Sequence, residues 1–128
     1  MNNLFDAFDE GSLALPASKV DFKELSWTKH PSFDGVELKH LITGEYTDGA
    51  FSFHLVRIAP NKEIGLHTHE LQLETHEVIF GSGTCINHDV FLDYQSGVIS
   101  IFPKKIPHKV IAGSNGLYLF AKFFPALC

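Results

Sequence analysis

Closely spaced turn signals are the feature of this sequence that most constrains its fold. Gly, Pro, Asn and Asp recur in pairs from about residue 20 onward, with short runs rich in Val, Ile, Phe and Leu between them. The apolar runs cover residues 36–42, 50–59, 77–86, 97–102, 108–113 and 117–124. Short runs with turns at intervals of roughly 8 to 12 residues are typical of sandwiches and barrels. The pattern therefore predicts an all-β fold, and no amphipathic stretch of about 12 residues or more competes with it.

Two Gly-containing pairs predict how consecutive strands join. Asp48-Gly49 and Asn115-Gly116 each stand between two apolar runs. Pairs of this kind suit the two-residue turns of tight hairpins. We therefore expect a tight hairpin at each position.

The first 20 residues differ from the rest and are predicted to form an arm. Asn3 is a suitable N-cap for a short helical turn that places Phe5 and Phe8 on one side. These rings need a surface to cover, either on the main body or on another subunit. We accordingly divide the chain into an N-terminal arm, residues 1–20, and one β domain, residues 21–128.

Composition narrows the classes of partner. The chain has 128 residues with 45% hydrophobic content, and 10 Lys and Arg against 15 Asp and Glu give a formal net charge of -5. The hydrophobic content excludes a disordered chain, and an acidic chain without a basic stripe argues against nucleic acid as a partner. No apolar run approaches the roughly 18 residues of a membrane span, and no signal-peptide pattern opens the chain. With only two cysteines, we expect a cytoplasmic protein with neither a nucleic-acid nor a membrane partner.

Candidate chemistry concentrates between residues 67 and 77. His67 and His69 are two residues apart, so in an extended strand both side chains leave the same face. Glu74 follows a stretch long enough to turn the chain, and a hairpin pairing of the two strands would set it opposite the histidines. Two imidazoles and a carboxylate suit Zn, Fe, Mn, Ni or Cu. The alternative is a chance pair of surface histidines.

This segment resembles the first motif of the cupin superfamily, G(x)5HxH(x)3-4E(x)6G. His67, His69, Glu74 and Gly81 stand at the motif spacing. Asn61 takes the place of the leading Gly, and Asn also tolerates left-handed turns.

A second segment resembles the other cupin motif, G(x)5PxG(x)2H(x)3N. Gly97, Pro103 and His108 stand at its spacing, whereas Lys105 replaces the internal Gly and Ala112 the final Asn. Taken alone, this segment would be a proline-rich turn followed by a solvent-facing histidine.

The resemblance to small single-domain cupins implies both a fold and a site. It implies a double-stranded β-helix, the jelly-roll barrel of two antiparallel sheets, for the β domain. It also implies one divalent transition metal ion, Fe, Mn, Ni, Zn or Cu, held by His67, His69, Glu74 and His108. Four protein ligands leave about two octahedral positions for water, substrate or dioxygen.

His76 is the candidate catalytic residue beyond the motif. Alternation from Glu74 places His76 on the inner face of its strand. In a functional role, His76 is a general acid or base, or an alternate ligand, beside the metal. The alternative is a structural histidine that is hydrogen-bonded to a neighbour of the site.

Other candidates are weighed by strand parity. His54 and Arg57 have opposite parity on one strand, so at most one faces inward, and the face with His54 is favoured as the pocket wall. Gln72 lies in the turn before Glu74 and is expected to be solvated. Cys85 is expected to be a buried apolar residue rather than a reactive thiol. No role is assigned to three histidines in turns or on outer strands, His30, His40 and His88.

The resemblance favours two classes of function, because cupins include enzymes and binding proteins. The first is a small metal-dependent enzyme acting on a small polar or aromatic metabolite in an oxygenase- or isomerase-type reaction. The second is a non-catalytic small-molecule-binding or sensor module. A structural β-barrel whose histidines are incidental is the third alternative. The apolar arm and the apolar run 117–124 lead us to expect a homodimer.

Overall fold

The computed structural model describes residues 3–128, and in this range the chain forms one α-helix, two 3-10 helices and ten strands. The helix α1 spans Leu4–Asp9, and the 3-10 helices span Phe22–Glu24 and Gly44–Tyr46. The strands are β1 (Ser12–Ala14), β2 (Lys19–Asp21), β3 (Thr28–Lys29), β4 (Val36–Ile42), β5 (Ser52–Ile58), β6 (Glu63–His67), β7 (Leu73–Asn87), β8 (Val90–Gln95), β9 (Ile99–Phe102) and β10 (His108–Phe124). No helix among these residues is long and apolar enough to span a membrane.

Strands β3 to β10 form two antiparallel sheets that share the two longest strands, β7 and β10. The second half of β10 pairs with β5 and with the first half of β7; β4 and β3 continue this sheet on one side and β9 on the other. The first half of β10 pairs with β6 and with the second half of β7, and β8 completes that sheet. The fold is therefore all-β, with the predicted jelly-roll architecture.

The two shared strands pass from one sheet to the other at a large irregularity. Ala112 pairs with Gly83 and Leu117 with Gly81, so four residues of β10 stand opposite one residue of β7. Gly116 has φ +80° within this stretch. The tight hairpin predicted at Asn115-Gly116 is therefore wrong, because the positive φ produces a bulge that bends one continuous strand rather than reversing it.

The connection between β4 and β5 agrees better with the sequence. Asp48 and Gly49 have φ values of 53° and 78°, the left-handed pair that Asp-Gly favours. They lie within a longer connection, residues 43–51, that also contains a 3-10 helix. The chain does reverse here, although not through a two-residue turn.

The apolar residues form two clusters on the two sides of one sheet. The cluster between the sheets includes Val56, Val78, Phe102 and Leu119, all buried. The second lies under residues 4–25 and contains Phe5, Phe22, Leu41, Leu55 and Phe120. The barrel thus has an inner core and an outer face that the chain itself covers in part.

The arm is fixed to this outer face by apolar and ionic contacts. Asn3 caps α1 as predicted, since its side-chain oxygen accepts a hydrogen bond of 2.9 Å from the backbone of the first turn. Asp9 accepts hydrogen bonds from the Lys39 ammonium at 2.6 Å and the Trp27 indole at 3.1 Å. The Trp27 ring also stacks against Phe5, with 5.9 Å between centroids. The arm therefore covers the chain's own barrel.

Candidate metal centre

The structure brings His67, His69, Glu74 and His108 together inside the barrel. One ligand atom from each residue lies within 4.8 Å of those of the other three. His67 ends β6, His69 follows in the next connection, Glu74 lies near the start of β7, and His108 begins β10.

These residues meet by a route different from the predicted hairpin. Strands β6 and β7 both pair with β10, and the register places His67 directly opposite His108. Glu74 is brought in by pairing with Phe102 at the end of β9, and residues 103–107 lead from there to His108. The predicted pairing between the two motif strands is wrong, because β10 is long enough to serve as the partner of both.

Two backbone carbonyls orient the imidazoles of His67 and His108. The Nδ1 atom of His67 lies 2.7 Å from the carbonyl oxygen of Gly65, and Nδ1 of His108 lies 3.0 Å from that of Ile106. A carbonyl oxygen only accepts, so Nδ1 carries the hydrogen in both rings. The Nε2 lone pairs are therefore left available for a metal, as in the usual outer hydrogen bonding of metal-bound histidines.

Glu74 supplies a buried negative charge at the centre of the cluster. Burial by itself would raise the pKa of this carboxyl, but the charges and hydrogen bonds of His76 and His108 outweigh burial and hold the pKa below its usual range. The Glu74 Oε1 atom lies 2.9 Å from Nε2 of His108 and 3.4 Å from Nε2 of His69.

This geometry calls for a cation. When Nδ1 of His108 carries the ring hydrogen, its Nε2 lone pair faces an ionised oxygen at 2.9 Å. That contact is repulsive unless a proton or a metal ion lies between the two atoms. Three imidazoles and one carboxylate are a donor set that fits a divalent transition metal ion.

Burial keeps the two histidines of the first motif, His67 and His69, in their neutral, metal-binding form. Removal from solvent lowers the pKa of His67 to about 4 and also lowers that of His69. Metal ions bind only the neutral imidazole, so protons compete weakly at these two positions near neutral pH.

His76 lies inside the barrel and contacts Glu74 rather than open space. Its side chain is 2% exposed, with Nε2 3.0 Å from Glu74 Oε2 and Nδ1 3.1 Å from the Tyr94 hydroxyl. Because an ionised carboxylate only accepts, Nε2 of His76 donates to Glu74 and Nδ1 accepts from Tyr94. Burial raises the pKa of Tyr94 well above its usual value, which keeps the phenol protonated as this donor.

Tyr94 is a residue that the sequence analysis missed. It lies on β8, a strand absent from the predicted set, and is 1% exposed. The alternation of Val90, Leu92 and Tyr94 was the available signal for a strand. Three alternating residues beside an Asn-His-Asp turn do not predict that the Tyr94 hydroxyl contacts His76.

Aromatic rings enclose the cluster on two sides. Phe102 stacks on His108 with 4.1 Å between centroids, and Phe123 meets His69 edge-on at 5.0 Å. The side chain of His69 remains 23% exposed, whereas that of His108 is 1% exposed. Solvent and small ligands therefore approach from the His69 side.

The loop between β9 and β10, within the second motif, is tied directly to the site. The backbone N–H of Lys105 donates to the carbonyl of His69 at 2.9 Å. Lys105 has φ +68° and Asn61 has φ +63°, so both residues adopt the left-handed conformation at positions where the cupin motifs carry glycine. The Lys104 and Lys105 side chains are exposed.

The remaining candidates separate by strand face as parity predicted. His54 is fully buried within the barrel. Arg57 points outward, where its guanidinium lies 4.0 Å from the Trp27 ring and bonds Glu37 at 3.0 Å. Cys85 is fully buried, and burial raises its pKa, as expected of a non-reactive thiol.

Two further observations complete the placement of the sequence candidates. Gln72, expected to be solvated, is half-buried in the connection before β7. His40, to which the sequence analysis gave no role, lies directly opposite His54 across the sheet, with 2.7 Å between the two Nδ1 atoms.

An apolar groove of about 730 Å³ lies apart from the four clustered residues, on the outer face of the barrel beside the arm. Its lining includes Phe8, Leu41, Phe53, Ile99 and Phe120. The groove has no histidine and belongs to the surface that the arm only partly covers.

No family model matches this sequence, and no curated protein matches it. Among solved structures, a predicted oxalate decarboxylase from Thermotoga maritima is similar at TM-score 0.72 and 21% identity, covering 80% of this chain and 95% of that one. An RmlC-like cupin from Shewanella frigidimarina is similar at TM-score 0.70 and 15% identity, covering 82% of this chain and 87% of that one. Bacillus subtilis oxalate decarboxylase, whose Mn(II) centres have been characterised, is similar at TM-score 0.71 and 19% identity, with 84% of this chain matching 29% of that one.

Proposed function

We propose, on the premise that this chain is a cupin by its fold, that it binds one divalent transition metal ion through His67, His69, Glu74 and His108. We further propose that the bound ion makes the protein a small metal-dependent enzyme. Its substrate would be a small polar or aromatic metabolite, and the reaction would be of the oxygenase or isomerase type.

One observation supports this proposal more than any other. The Nε2 atom of the carbonyl-oriented His108 faces the ionised Glu74 at 2.9 Å, a contact that becomes favourable when either a metal ion or a proton lies between the two atoms. Incidental histidines on a structural barrel would not need two of their rings held by backbone carbonyls with Nε2 directed at one carboxylate.

The metal ion would supply a Lewis-acid centre to which a ligand binds through oxygen donors. The chain's own residues would hold the metal ligands in place and exclude water. Glu74 is held in place by His76, and Tyr94 in turn holds His76 in one orientation. We propose that His76 is a positioning residue for Glu74, because both of its ring nitrogens are engaged. Phe102 and Phe123 would exclude water from two sides of the bound substrate.

Three histidines and a glutamate accept Fe, Mn, Ni, Zn or Cu, and availability often decides between them. Manganese is the first ion to test because the similar Bacillus subtilis enzyme has Mn(II) centres. Oxalate is the first ligand to test because two of the similar proteins are named as oxalate decarboxylases.

Metal analysis of the purified protein tests the binding proposal. We expect calorimetry to show that about one equivalent of Mn, Fe, Ni or Zn binds to this four-ligand centre at micromolar concentration, and that His67→Ala loses that equivalent. His88→Ala is the matched control, since that side chain is 63% exposed and lies in a turn. A wild-type protein that refuses all of these ions, or a His67→Ala variant that binds like wild type, would refute the proposed centre.

Turnover distinguishes the enzyme from the non-catalytic alternative. We expect the metal-loaded protein to convert at least one of a panel of small oxygen-donor metabolites, with oxalate in the first set, while His67→Ala does not. Stabilisation by a metabolite without any turnover over a day would instead identify a small-molecule-binding or sensor module.

His76→Gln tests the positioning role. Glutamine still offers a donor to Glu74 but cannot shuttle a proton as an imidazole does. We expect weaker metal binding by about tenfold, as for other outer-shell changes, and an unchanged pH profile of turnover. Loss of one limb of that profile with unaltered metal affinity would assign His76 to proton transfer instead.

A further inference from the structure

A second cluster of metal-binding side chains lies on β4, β5 and the segment that follows β10. His40 and His54 pair directly across the sheet, and their Nδ1 atoms are 2.7 Å apart. The Cys128 sulfur joins them, and all three ligand atoms lie within 4.8 Å of one another. None of the three belongs to the cluster around Glu74.

We propose that His40, His54 and Cys128 form a second metal site, which takes a thiophilic ion of the zinc class. The site would stand whether or not the first centre binds metal, because the two share no ligand. Thiolate and imidazole together are typical zinc ligands, and three protein ligands leave the fourth tetrahedral position to water.

The fold holds the cysteine at this position through backbone bonds. The backbone N–H of Gly44 donates to the carbonyl of Cys128 at 2.6 Å. The backbone N–H of Leu127 donates to the Ser52 hydroxyl at 2.8 Å. The segment therefore lies against the β4–β5 connection in a defined register, and the Cys128 side chain, although exposed, is held beside the two imidazoles.

The same serine orients the buried imidazole. The Nε2 atom of His54 lies 2.8 Å from the Ser52 hydroxyl, and His54 is fully buried. With Nε2 occupied, the Nδ1 atom of His54 is directed at Nδ1 of His40. Two ring nitrogens 2.7 Å apart require a shared proton or a cation between them, since two lone pairs repel.

Small side-chain movements suffice to admit the ion. Zinc–nitrogen bonds of about 2.0–2.1 Å at a tetrahedral angle place two ligand nitrogens about 3.3 Å apart. The His40 and His54 nitrogens must therefore separate by roughly 0.6 Å from the 2.7 Å observed. The Cys128 side chain is exposed and can rotate toward them.

An ion at this site would cross-link neighbouring segments on one side of the barrel. The Phe123 ring lies 5.5 Å from His54 and 5.0 Å from His69, measured between centroids. The second site is thus separated from the candidate metal centre by one aromatic ring. Its ion would join β4, β5 and the segment after β10, and would hold Phe123 in place beside the first centre.

Cobalt titration of the protein under reducing conditions tests the proposal. Cobalt(II) stands in for zinc, and a thiolate ligand gives it a near-ultraviolet charge-transfer band that a centre of three histidines and one glutamate cannot produce. We expect this band in the wild-type protein, and its loss in both Cys128→Ser and His40→Asn. Cys85→Ala is the matched control, because that thiol is buried elsewhere in the barrel, and it should keep the band.

His67→Ala separates the second site from the first. We expect this variant to lose one metal equivalent but to keep the thiolate band. Zinc should also slow the labelling of Cys128 by a thiol reagent by about tenfold or more, since a bound thiolate is no longer a free nucleophile. Absence of the band in the wild-type protein, its survival in Cys128→Ser, or labelling unaffected by zinc would each overturn the second site.

Discussion

The bend that carries β7 and β10 from one sheet to the other should depend on the absence of a side chain at Gly81. This residue has φ +82°, and a Cβ atom built there would lie 2.2 Å from the carbonyl oxygen of Gly116. Real Cβ contacts essentially never fall below 3.0 Å. An alanine must therefore push the two strands apart by about 0.8 Å at the point where they cross between sheets.

Gly49 provides the control for the backbone conformation alone. It has a similar φ of +78°, but nothing lies within 4 Å of a Cβ atom built on it. An alanine in the left-handed region costs about 1–2 kcal/mol, offset by about 0.4–1 kcal/mol because the unfolded chain is less flexible. We therefore expect Gly49→Ala to lower the free energy of unfolding by about 1 kcal/mol.

Gly81→Ala should cost that amount plus the cost of overpacking, which is typically about 1–3 kcal/mol. The expected total is about 2–4 kcal/mol, a large part of the roughly 5–15 kcal/mol that stabilises a domain. Urea unfolding of the metal-free proteins, with equal m-values, measures the difference. If Gly81→Ala and Gly49→Ala differ by less than about 0.5 kcal/mol, the close approach of the two strands is not what requires glycine.

Lys105→Gly should stabilise the metal-free protein by about 0.5–1 kcal/mol, since glycine relieves the left-handed φ; urea unfolding that shows a loss would contradict this. Asp9→Ala should destabilise by about 3 kcal/mol because it leaves the Lys39 ammonium, 3% exposed, buried with a backbone carbonyl but no carboxylate as its partner, and adding Lys39→Met should restore part of that loss. Burial raises the pKa of Cys85 above 9.0, so its contribution to stability is present below about pH 9 and is lost as the pH rises further, by up to about 1.4 kcal/mol per pH unit; Cys85→Ala should flatten that fall. We propose a homodimer through the outer apolar face, so light scattering should show a dimer that Ile99→Arg, at a side chain 67% exposed, converts to monomer; a monomeric wild type would refute it.

The sequence was informative wherever a physical rule acts over a few residues. Asn3 can be identified as a helix cap from sequence because capping involves only the first helical turn. The bounds of β4, residues 36–42, can be predicted because its apolar run ends in turn residues on both sides. The opposite parity of His54 and Arg57 also followed from the two-residue period of a strand. His54 is buried inside the barrel, and Arg57 lies on the outer face.

Local rules failed where the same residue pair is compatible with two backbone structures. Asn115-Gly116 can close a hairpin or bulge a continuous strand, since glycine at positive φ serves both. The outcome depended on β7, which runs alongside both halves of β10 and gives them a continuous partner. No short stretch of sequence contains that information.

The spacing of the two motifs was enough to nominate four residues that the fold then brought within 4.8 Å of one another, because strand alternation and motif spacing are properties of the chain itself. Only the tertiary structure decided how those residues are held. The carbonyls behind His67 and His108, and the Tyr94 hydroxyl behind His76, depend on which distant segments pack together. The same holds for the meeting of His40, His54 and Cys128, which are 14 and 74 residues apart along the chain. Distances of that kind are set by sheet register and barrel closure, so they became visible only when the strands were paired.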